Sequence, residues 1–438
     1  MNNSQIARRM QSVRPSPTAV ISDQVRALEA AGKPVINLGE GELDFATPAH
    51  ISYAGIEAIV HHQTKYTAVS GTAALKEAIA AKFARDNQLH YRPQEIIAGS
   101  GAKQLIFNAF LATPRRRAAG HHSRPYWVSY PDMVSLADGE PVIVPCDEQN
   151  GWKLTPEQLA AALTPSTRWL ILNSPGNPTG AIYSEQELRA LAAVLADYPQ
   201  VLVMADDIYE PLRYDNIPFT TFAQAAPQMV SRTLTVNGVS KSHAMTGWRL
   251  GYAGGPQWLI AAMQILQSQS TSNPSSISQA AAVAALNHSA NFFDGWLNVL
   301  DKRRQQVLGM IAATDGLSAT APQGAFYVFA NCQALMGRMT PGGEILRNDS
   351  ALANWLLEQT QVAVLHGSAF WNAGVFAYCV CDRRWPANPS LPADSGRLRA
   401  IALKACGGAA ATHAAANHAR SEKCRAYRLP CRYSTLSS

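Results

Sequence analysis

The chain has 438 residues, of which 47% are hydrophobic and 16% are charged, and its formal net charge is +6. This length allows a large buried core and predicts two domains. Part of the positive charge comes from the run Arg115, Arg116 and Arg117, so the overall charge does not indicate a nucleic-acid partner.

Hydropathy and cysteine usage indicate the cellular compartment of the protein and whether it binds a membrane or a metal. No apolar run reaches the roughly 18 residues of a membrane span. The first eleven residues, MNNSQIARRMQ, lack the apolar core of a signal peptide. Five of the seven cysteines fall in the last sixty residues, which is not a disulfide framework, and Cys379 with Cys381 is too close a pair for a zinc site. We therefore expect a cytoplasmic protein with no bound metal and no membrane partner.

The first part of the chain alternates short apolar runs with helical patterns. The segment PVINLGEGELDFATPAHI, which starts at Pro34, reads as a short strand, a cluster of glycines and acids, and a helix that opens at Thr47 and Pro48. Residues 64–71 read as a loop, and residues 73–85 read as an amphipathic helix with one apolar face of Leu75, Ile79 and Phe83.

A strand at Ile96 and Ile97 leads through small residues into another helix, in the sequence GSGAKQLIFNAFLA. Backbone N–H groups at such a helix N-terminus bind phosphate groups. Gly101, Ala102 and Lys103 are therefore candidates for holding a phosphate.

Further strands and helices follow. Strands are predicted at 169–172, before the turn NSPGNPTG, at 201–204, ending in Asp206, and at 324–330. Helices are predicted at 256–266, 276–286 and 292–314.

The stretch from Leu234 to Gly251 reads LTVNGVSKSHAMTGWRLG. A strand enters it, Asn237 and Gly238 are expected to break that strand, and Lys241 is expected on a loop. A lysine taken alone is usually a solvated charge. Here the surrounding pattern favours a buried functional amine.

The run from Gly238 to Gly251 resembles, position for position, the pyridoxal-phosphate attachment site of class I and II aminotransferases. The resemblance implies that Lys241 holds the cofactor as a Schiff base. It also implies that Arg249 and Ser240 bind the cofactor phosphate.

The same resemblance assigns the other cofactor contacts. Asp206 would keep the pyridine nitrogen protonated, and Asn177 and Tyr209 would share the phenolic oxygen. Trp127 would stack on the ring. Gly101, Ala102 and Lys103 would complete the phosphate cradle.

Substrate and assembly are assigned in the same way. Gly41 would offer its backbone to the substrate carboxylate, with Trp127 and Asn177 beside it, and Leu43 stands where the family commonly has proline. Tyr66 would reach the phosphate in a partner subunit's site, which implies a homodimer.

The implied architecture is α/β, that of a fold type I transferase. It has a large domain with a mostly parallel seven-stranded sheet flanked by helices, and a smaller α/β domain made from both chain ends. We expect an N-terminal arm and part of the small domain at 1–45, the large cofactor-binding domain at 46–290, the small C-terminal domain at 291–404, and a non-native tail at 405–438.

Two segments depart from the family pattern. A permitted codon choice for 114–123, read one base later, places Val, Ile and Ile at Gly120, His121 and His122, as in the family. From Trp371 the same shift restores a family-like sequence and puts at Ala377 the arginine that pairs with the substrate carboxylate. For 114–123, natural divergence into an odd loop is the alternative.

The implied activity is amino transfer from an L-amino acid, such as aspartate, to a 2-oxo acid such as 2-oxoglutarate. The resemblance is to bacterial aspartate aminotransferases in particular. Three alternatives stay open: another reaction on the same fold, such as a C–S β-lyase; a non-catalytic cofactor-binding domain of a transcription regulator; and an impaired product of a frameshifted gene. The regulator would need a DNA-binding module, for which the residues before Pro34 leave too little room.

Overall fold

A computed structural model describes residues 6–11, 13–113, 119–287 and 292–381, with the backbone alone at 8 and 119–123. The predicted tail, most of the second departing segment and residues 114–118 lie outside the described residues. The strands in chain order are β1 (Ile36–Asn37), β2 (Ile96–Gly99), β3 (Ala119–Arg124), β4 (Glu140–Pro145), β5 (Thr167–Asn173), β6 (Leu202–Asp206), β7 (Thr233–Gly238), β8 (Gly251–Gly254), β9 (Ser318–Ala319), β10 (Tyr327–Asn331), β11 (Val362–Ala363), β12 (Leu365–His366) and β13 (Val375–Cys379).

The α-helices alternate with these strands. They are α1 (Pro17–Ala30), α2 (Ala49–Val60), α3 (Ala73–Asn87), α4 (Ala102–Ala112), α5 (Tyr130–Leu136), α6 (Pro156–Ala162), α7 (Glu185–Leu195), α8 (Phe222–Ala225), α9 (Val239–Ser242), α10 (Gln257–Ser268), α11 (Ser276–Asn287), α12 (Phe293–Ala312) and α13 (Asp349–Thr360). The helices predicted near 73, 256, 276 and 292 are all present, with ends shifted by a few residues.

The central sheet has seven strands in the order β2-β8-β7-β6-β5-β3-β4. Strand β8 runs antiparallel to both of its neighbours, and the other pairs are parallel. Every residue of β6 and β7 is buried, as expected of parallel strands with helices on both faces. The mostly parallel seven-stranded sheet is therefore confirmed.

The two ends of the described chain meet beside a second sheet. Strands β12, β13, β10 and β9 form this antiparallel sheet, while β1 pairs in parallel with β11. Ile21 and Val25 of α1 pack with Leu357 and Ala363 in one apolar cluster. Segments near both ends thus pack together, as the fold class requires.

The segment that carries Lys241 differs from the prediction. Asn237 and Gly238 do not break the strand, because they continue to pair with Tyr252 and Gly251 of β8. Lys241 then lies in the single helical turn of α9 and not on a loop. The prediction was wrong because pairing with β8 extends the strand, and the local residue types at Asn237 and Gly238 do not show that pairing.

Candidate active site

A cavity of about 490 Å³ opens at the carboxyl ends of β5, β6 and β7. In open α/β sheets this edge is where ligands bind. Most of the residues proposed from the sequence line it: Gly41, Ala102, Lys103, Trp127, Asn177, Asp206, Tyr209, Ser240, Lys241 and Arg249.

Asp206 lies at the base of the cavity and is 3% exposed. Its Oδ2 accepts a hydrogen bond of 2.5 Å from the Tyr130 hydroxyl. Its Oδ1 has no hydrogen-bond partner among the described residues. Burial raises the pKa of the Asp206 carboxyl to about 6, opposed by the Tyr130 hydroxyl and the Ile208 amide. The carboxylate is therefore still the main form at neutral pH.

Lys241 enters the cavity from α9. Its amine donates a hydrogen bond to the carbonyl of Gly41 and lies 5.8 Å from the ring centroid of Phe326. Burial lowers the pKa of Lys241 below its usual value, and the charge of Arg249 acts in the same direction. A lowered pKa makes the neutral, nucleophilic amine more accessible.

Three polar side chains meet between Asp206 and Lys241. The hydroxyls of Tyr209 and Tyr327 are 2.9 Å apart. The Asn177 amide donates to both hydroxyls, at 3.5 and 3.4 Å. Burial raises the pKa of Tyr209 above its usual value, so the group stays a hydrogen-bond donor.

The opposite end of the cavity is built to hold an anion. Helix α4 begins at Ala102 after Gly101, which has a φ of 93° and caps the helix. Arg249 adopts a left-handed φ of 54°, and its guanidinium contacts Gly101 and donates to the Ser100 carbonyl at 3.4 Å. Free helix N–H groups beside a guanidinium form an anion site. Ser240, also buried, borders the same cavity.

Trp127 forms one wall. Its ring meets Tyr130 edge-to-face at 5.3 Å, and the Lys103 amine lies 4.7 Å from its centroid. Burial lowers the pKa of Lys103, and the charge of Arg249 adds to this effect. Two of the proposed residues do not line the cavity: Gly101, which precedes Ala102, and Tyr66, which is 90% exposed.

Among the cavity-lining residues that the sequence analysis missed are two tyrosines. Tyr130, the Asp206 partner, closes the segment RPYWVSY, in which only Trp127 was singled out. Tyr327 was read as part of an apolar strand, although its hydroxyl faces Tyr209. The same hydroxyl lies so close to Gly41 that a Cβ at that position would collide with it. A tyrosine in a strand otherwise made of Ala, Phe and Val is the one signal that pointed to it.

The model of the family described as aminotransferase class I and II matches residues 33–381. The chain belongs to this family. It is therefore an amino-group transferase, and its fold is the one that the family shares.

Curated relatives of this aminotransferase carry matching names. An aspartate aminotransferase of Rhizobium meliloti (strain 1021) is 48% identical over 366 residues, covering 84% of this chain and 89% of the relative. An aspartate/prephenate aminotransferase of Cereibacter sphaeroides is 49% identical over 358 residues, covering 82% and 90%.

Solved structures agree with the fold. The aspartate aminotransferase of Rhizobium meliloti superposes with a TM-score of 0.86 at 45% identity, covering 91% of this aminotransferase and 99% of that chain. The Thermus thermophilus enzyme with maleate gives 0.82 at 35% identity, covering 91% and 98%.

Proposed function

We propose that this chain uses pyridoxal 5′-phosphate to move the amino group of an L-amino acid, such as aspartate, to a 2-oxo acid such as 2-oxoglutarate. The observation that carries the proposal is the convergence of Lys241, Asp206 and Arg249 on one cavity. The names of the relatives, which point to aspartate and in some cases prephenate, support the substrate class.

The cavity residues fit this cofactor. The free Oδ1 of Asp206 is a buried acceptor that a protonated pyridine nitrogen would satisfy. At the other end, the N-terminus of α4 and the Arg249 guanidinium supply donors for a dianionic phosphate. Gly101 has a φ of 93°, at which any other residue would be strained, and an added Cβ would displace the Arg249 guanidinium.

When bound, the cofactor supplies a pyridine ring that delocalises the electron pair left on the substrate Cα when its proton leaves. Asp206 would hold the ring nitrogen in its protonated form. Asn177 and Tyr209 would donate to the phenolic oxygen, and Trp127 would pack against the ring. Ala102, Lys103, Ser240 and Arg249 would bind the phosphate.

Lys241 has two roles in this proposal. Its amine would hold the cofactor, and the same amine, as a neutral base, would take the proton from the substrate Cα and then act as the acid that gives the proton back. Its lowered pKa favours the neutral base. The Gly41 carbonyl, which accepts from the Lys241 amine, fixes the amine near the substrate side of the cavity.

The substrate carboxylate would lie between the Gly41 backbone, Asn177 and Trp127. Ala377 of β13 is buried and lines the same cavity. A guanidinium at this position would therefore point into the site, as the shifted reading frame predicts. The chain as it stands lacks that cation, so we propose that its affinity for amino acids is reduced.

The assembly we propose is a homodimer. Tyr66 is exposed, as a residue that serves a second subunit would be. Helix α2 presents an exposed apolar face of Tyr53, Ile56, Ile59 and Val60. Contiguous exposed apolar groups favour an interface with another protein.

Two further assignments complete the proposal. The domain ranges are 1–45, 46–290, 291–404 and 405–438, as stated from the sequence. The location is the cytoplasm, which agrees with the free thiols of Cys146, Cys332, Cys379 and Cys381. None of the helices that the structure describes could serve as a membrane span.

Borohydride reduction of the cofactor-loaded protein tests the attachment. The cofactor should become fixed to the peptide that holds Lys241, and Lys241→Ala should abolish amino transfer while keeping some non-covalent binding. Lys76→Ala, outside the cavity, is the control. Glutamate formation from aspartate and 2-oxoglutarate should exceed pyruvate release from cystathionine. Label on another lysine, or pyruvate release alone, would contradict the proposal.

A further inference from the structure

A network of buried polar side chains lies outside the cavity, and the partly exposed Asp86 borders it, 3.9 Å from the Lys82 amine. Its members are Lys82 and Asn87 of α3, Glu210 in the turn after β6, and Asn237 of β7, all buried. None of the four lines the cavity, so none can contact a ligand there.

Glu210 is the centre of this network. Its Oε2 accepts from the Lys82 amine and, at 2.7 Å, from the Asn237 amide. Its Oε1 accepts from the Asn87 amide at 2.8 Å. Lys82 also donates to the Asn87 Oδ1 at 2.7 Å. One carboxylate thus joins α3, the turn after β6 and the end of β7.

The two joined segments carry the chemistry. Glu210 directly follows Tyr209, and Asn237 lies four residues before Lys241. The Asn237 Oδ1 accepts from the Gly238 amide at 2.8 Å, which orients the backbone that enters α9. Glu210 thus links the segment that carries Tyr209 to the segment that carries Lys241.

The buried Lys82–Glu210 ion pair is not explained by stability, because desolvation of the two charges offsets much of their attraction. Replacing such a pair with apolar side chains is often neutral or stabilising, whereas removing one partner is strongly destabilising. Directional hydrogen bonds to one carboxylate do define geometry in a way that apolar contacts do not. Because the network joins the segments that carry Tyr209 and Lys241, this defined geometry can position the two side chains.

We propose that Glu210, held by Lys82, is a positioning residue that sets the Tyr209 hydroxyl relative to the Lys241 amine, and through it the protonation of the bound cofactor. This inference rests on the proposed function. Donation from Tyr209 stabilises the unprotonated phenolic oxygen of the cofactor. Loss of the network should therefore raise the pH midpoint of the cofactor's absorbance change.

The test compares a paired apolar variant, Lys82→Met with Glu210→Leu, with the single variant Glu210→Gln, which keeps the packing. Three quantities are measured: the Tm of cofactor-free protein, the Kd for pyridoxal phosphate, and the pH midpoint of absorbance. We expect the midpoint to rise by about half a unit or more in both variants. The Kd should weaken by about tenfold.

Arg304→Met is the structural control. Arg304 is a buried cation paired with Asp215 at 2.9 Å and Asp301 at 2.7 Å, and it does not line the cavity. This variant should lower the Tm and leave the midpoint unchanged. If the paired variant does not fold, Glu210→Gln decides the question.

An unchanged midpoint and Kd in Glu210→Gln, with or without a lower Tm, would overturn the positioning role. The wild-type protein separates this result from a failure of the proposed function. If wild-type protein binds pyridoxal phosphate at Lys241 and the variants match its midpoint and Kd, the network is structural. If wild-type protein does not bind the cofactor, the proposed function itself is wrong.

Discussion

At the residue scale, Tyr130 controls the charge of Asp206. The Tyr130 hydroxyl lowers the pKa of Asp206, which burial has raised to about 6. Tyr130→Phe should therefore raise that pKa further and shift the acid limb of the pH–rate profile toward neutral pH. We expect the half-reaction rate with aspartate near pH 7 to fall by about tenfold.

Tyr214→Phe is the matched control for this prediction. Its hydroxyl is also buried and donates to the Ala325 carbonyl at 2.7 Å, away from the cavity. The control should cost about 1 kcal/mol of stability and leave the pH profile in place. An identical acid limb in Tyr130→Phe and wild type would refute the role of Tyr130.

His243 predicts a pH dependence of stability. Burial lowers the pKa of His243 from 6.5 to about 4, so between these values the unfolded chain binds a proton that the folded chain does not. Stability from this group is complete above pH 6.5 and is lost as the pH falls toward 4. In His243→Gln, the fall in the free energy of unfolding on acidification should be smaller than in wild type by on the order of 2 kcal/mol.

Urea unfolding of cofactor-free protein at pH 7.5 and pH 4.5 measures this difference. Asp206 contributes the opposite trend, because its raised pKa favours the folded state at the acid end of the window. That contribution is common to both proteins and cancels in the comparison. Equal acid losses in wild type and His243→Gln would show that His243 is protonated in the folded state.

At the element scale, β3 is the strand that the sequence explains least. Its backbone pairs in parallel with β4 and β5, with Gly120 opposite Trp169 and His122 opposite Ile171. The family pattern puts Val, Ile and Ile at 120–122. Burial of three such side chains is worth roughly 5 to 9 kcal/mol, which is comparable to the roughly 5 to 15 kcal/mol that stabilises a whole domain.

Substitution of Gly120→Val, His121→Ile and His122→Ile together should therefore raise the denaturation midpoint and the soluble yield. Thermal and urea unfolding of the two proteins provide the measurement. A lower midpoint in the substituted protein would show that the present residues are native to β3 and that the shifted frame at 114–123 is a coincidence of codons.

Strand β13 carries a separate prediction. Ala377 pairs with Phe329 and Leu365 and borders the cavity. Ala377→Arg should supply a guanidinium for the substrate carboxylate and tighten amino-acid binding by very roughly 2 to 5 kcal/mol. The KM for aspartate should fall while cofactor affinity stays the same. Ala377→Lys, which lacks the bidentate fork, should recover only part of the effect.

At the scale of the whole molecule, Tyr66 tests the assembly. A Tyr66→Ala chain mixed with a Lys241→Ala chain should form hybrid dimers that contain one intact site. Each parent should be weak or inactive, and the mixture should recover activity toward the one-quarter level expected of random pairing with one site restored. Sedimentation of the mixture confirms dimer formation. Dimers without recovered activity would show that each site is built from one chain.

The local elements and the attachment motif could be predicted from the sequence because they depend on short-range patterns. Leu75, Ile79 and Phe83 recur at helical spacing and are buried on one face of α3. The motif around Lys241 led to the family, and the comparisons agree. Most of the proposed cavity residues come together because the carboxyl ends of parallel strands meet at one edge of the sheet.

The tertiary structure decided what depends on contacts between distant segments. Pairing with β8 keeps Asn237 and Gly238 in a strand, so Lys241 lies in a helical turn. Tyr130 reaches Asp206 across 76 residues, and Tyr327 reaches Tyr209 across 118. Glu210 joins Lys82 across 128 residues. No local pattern encodes such pairs, because a hydrogen bond depends on where two chain segments come together and not on the residues beside each partner.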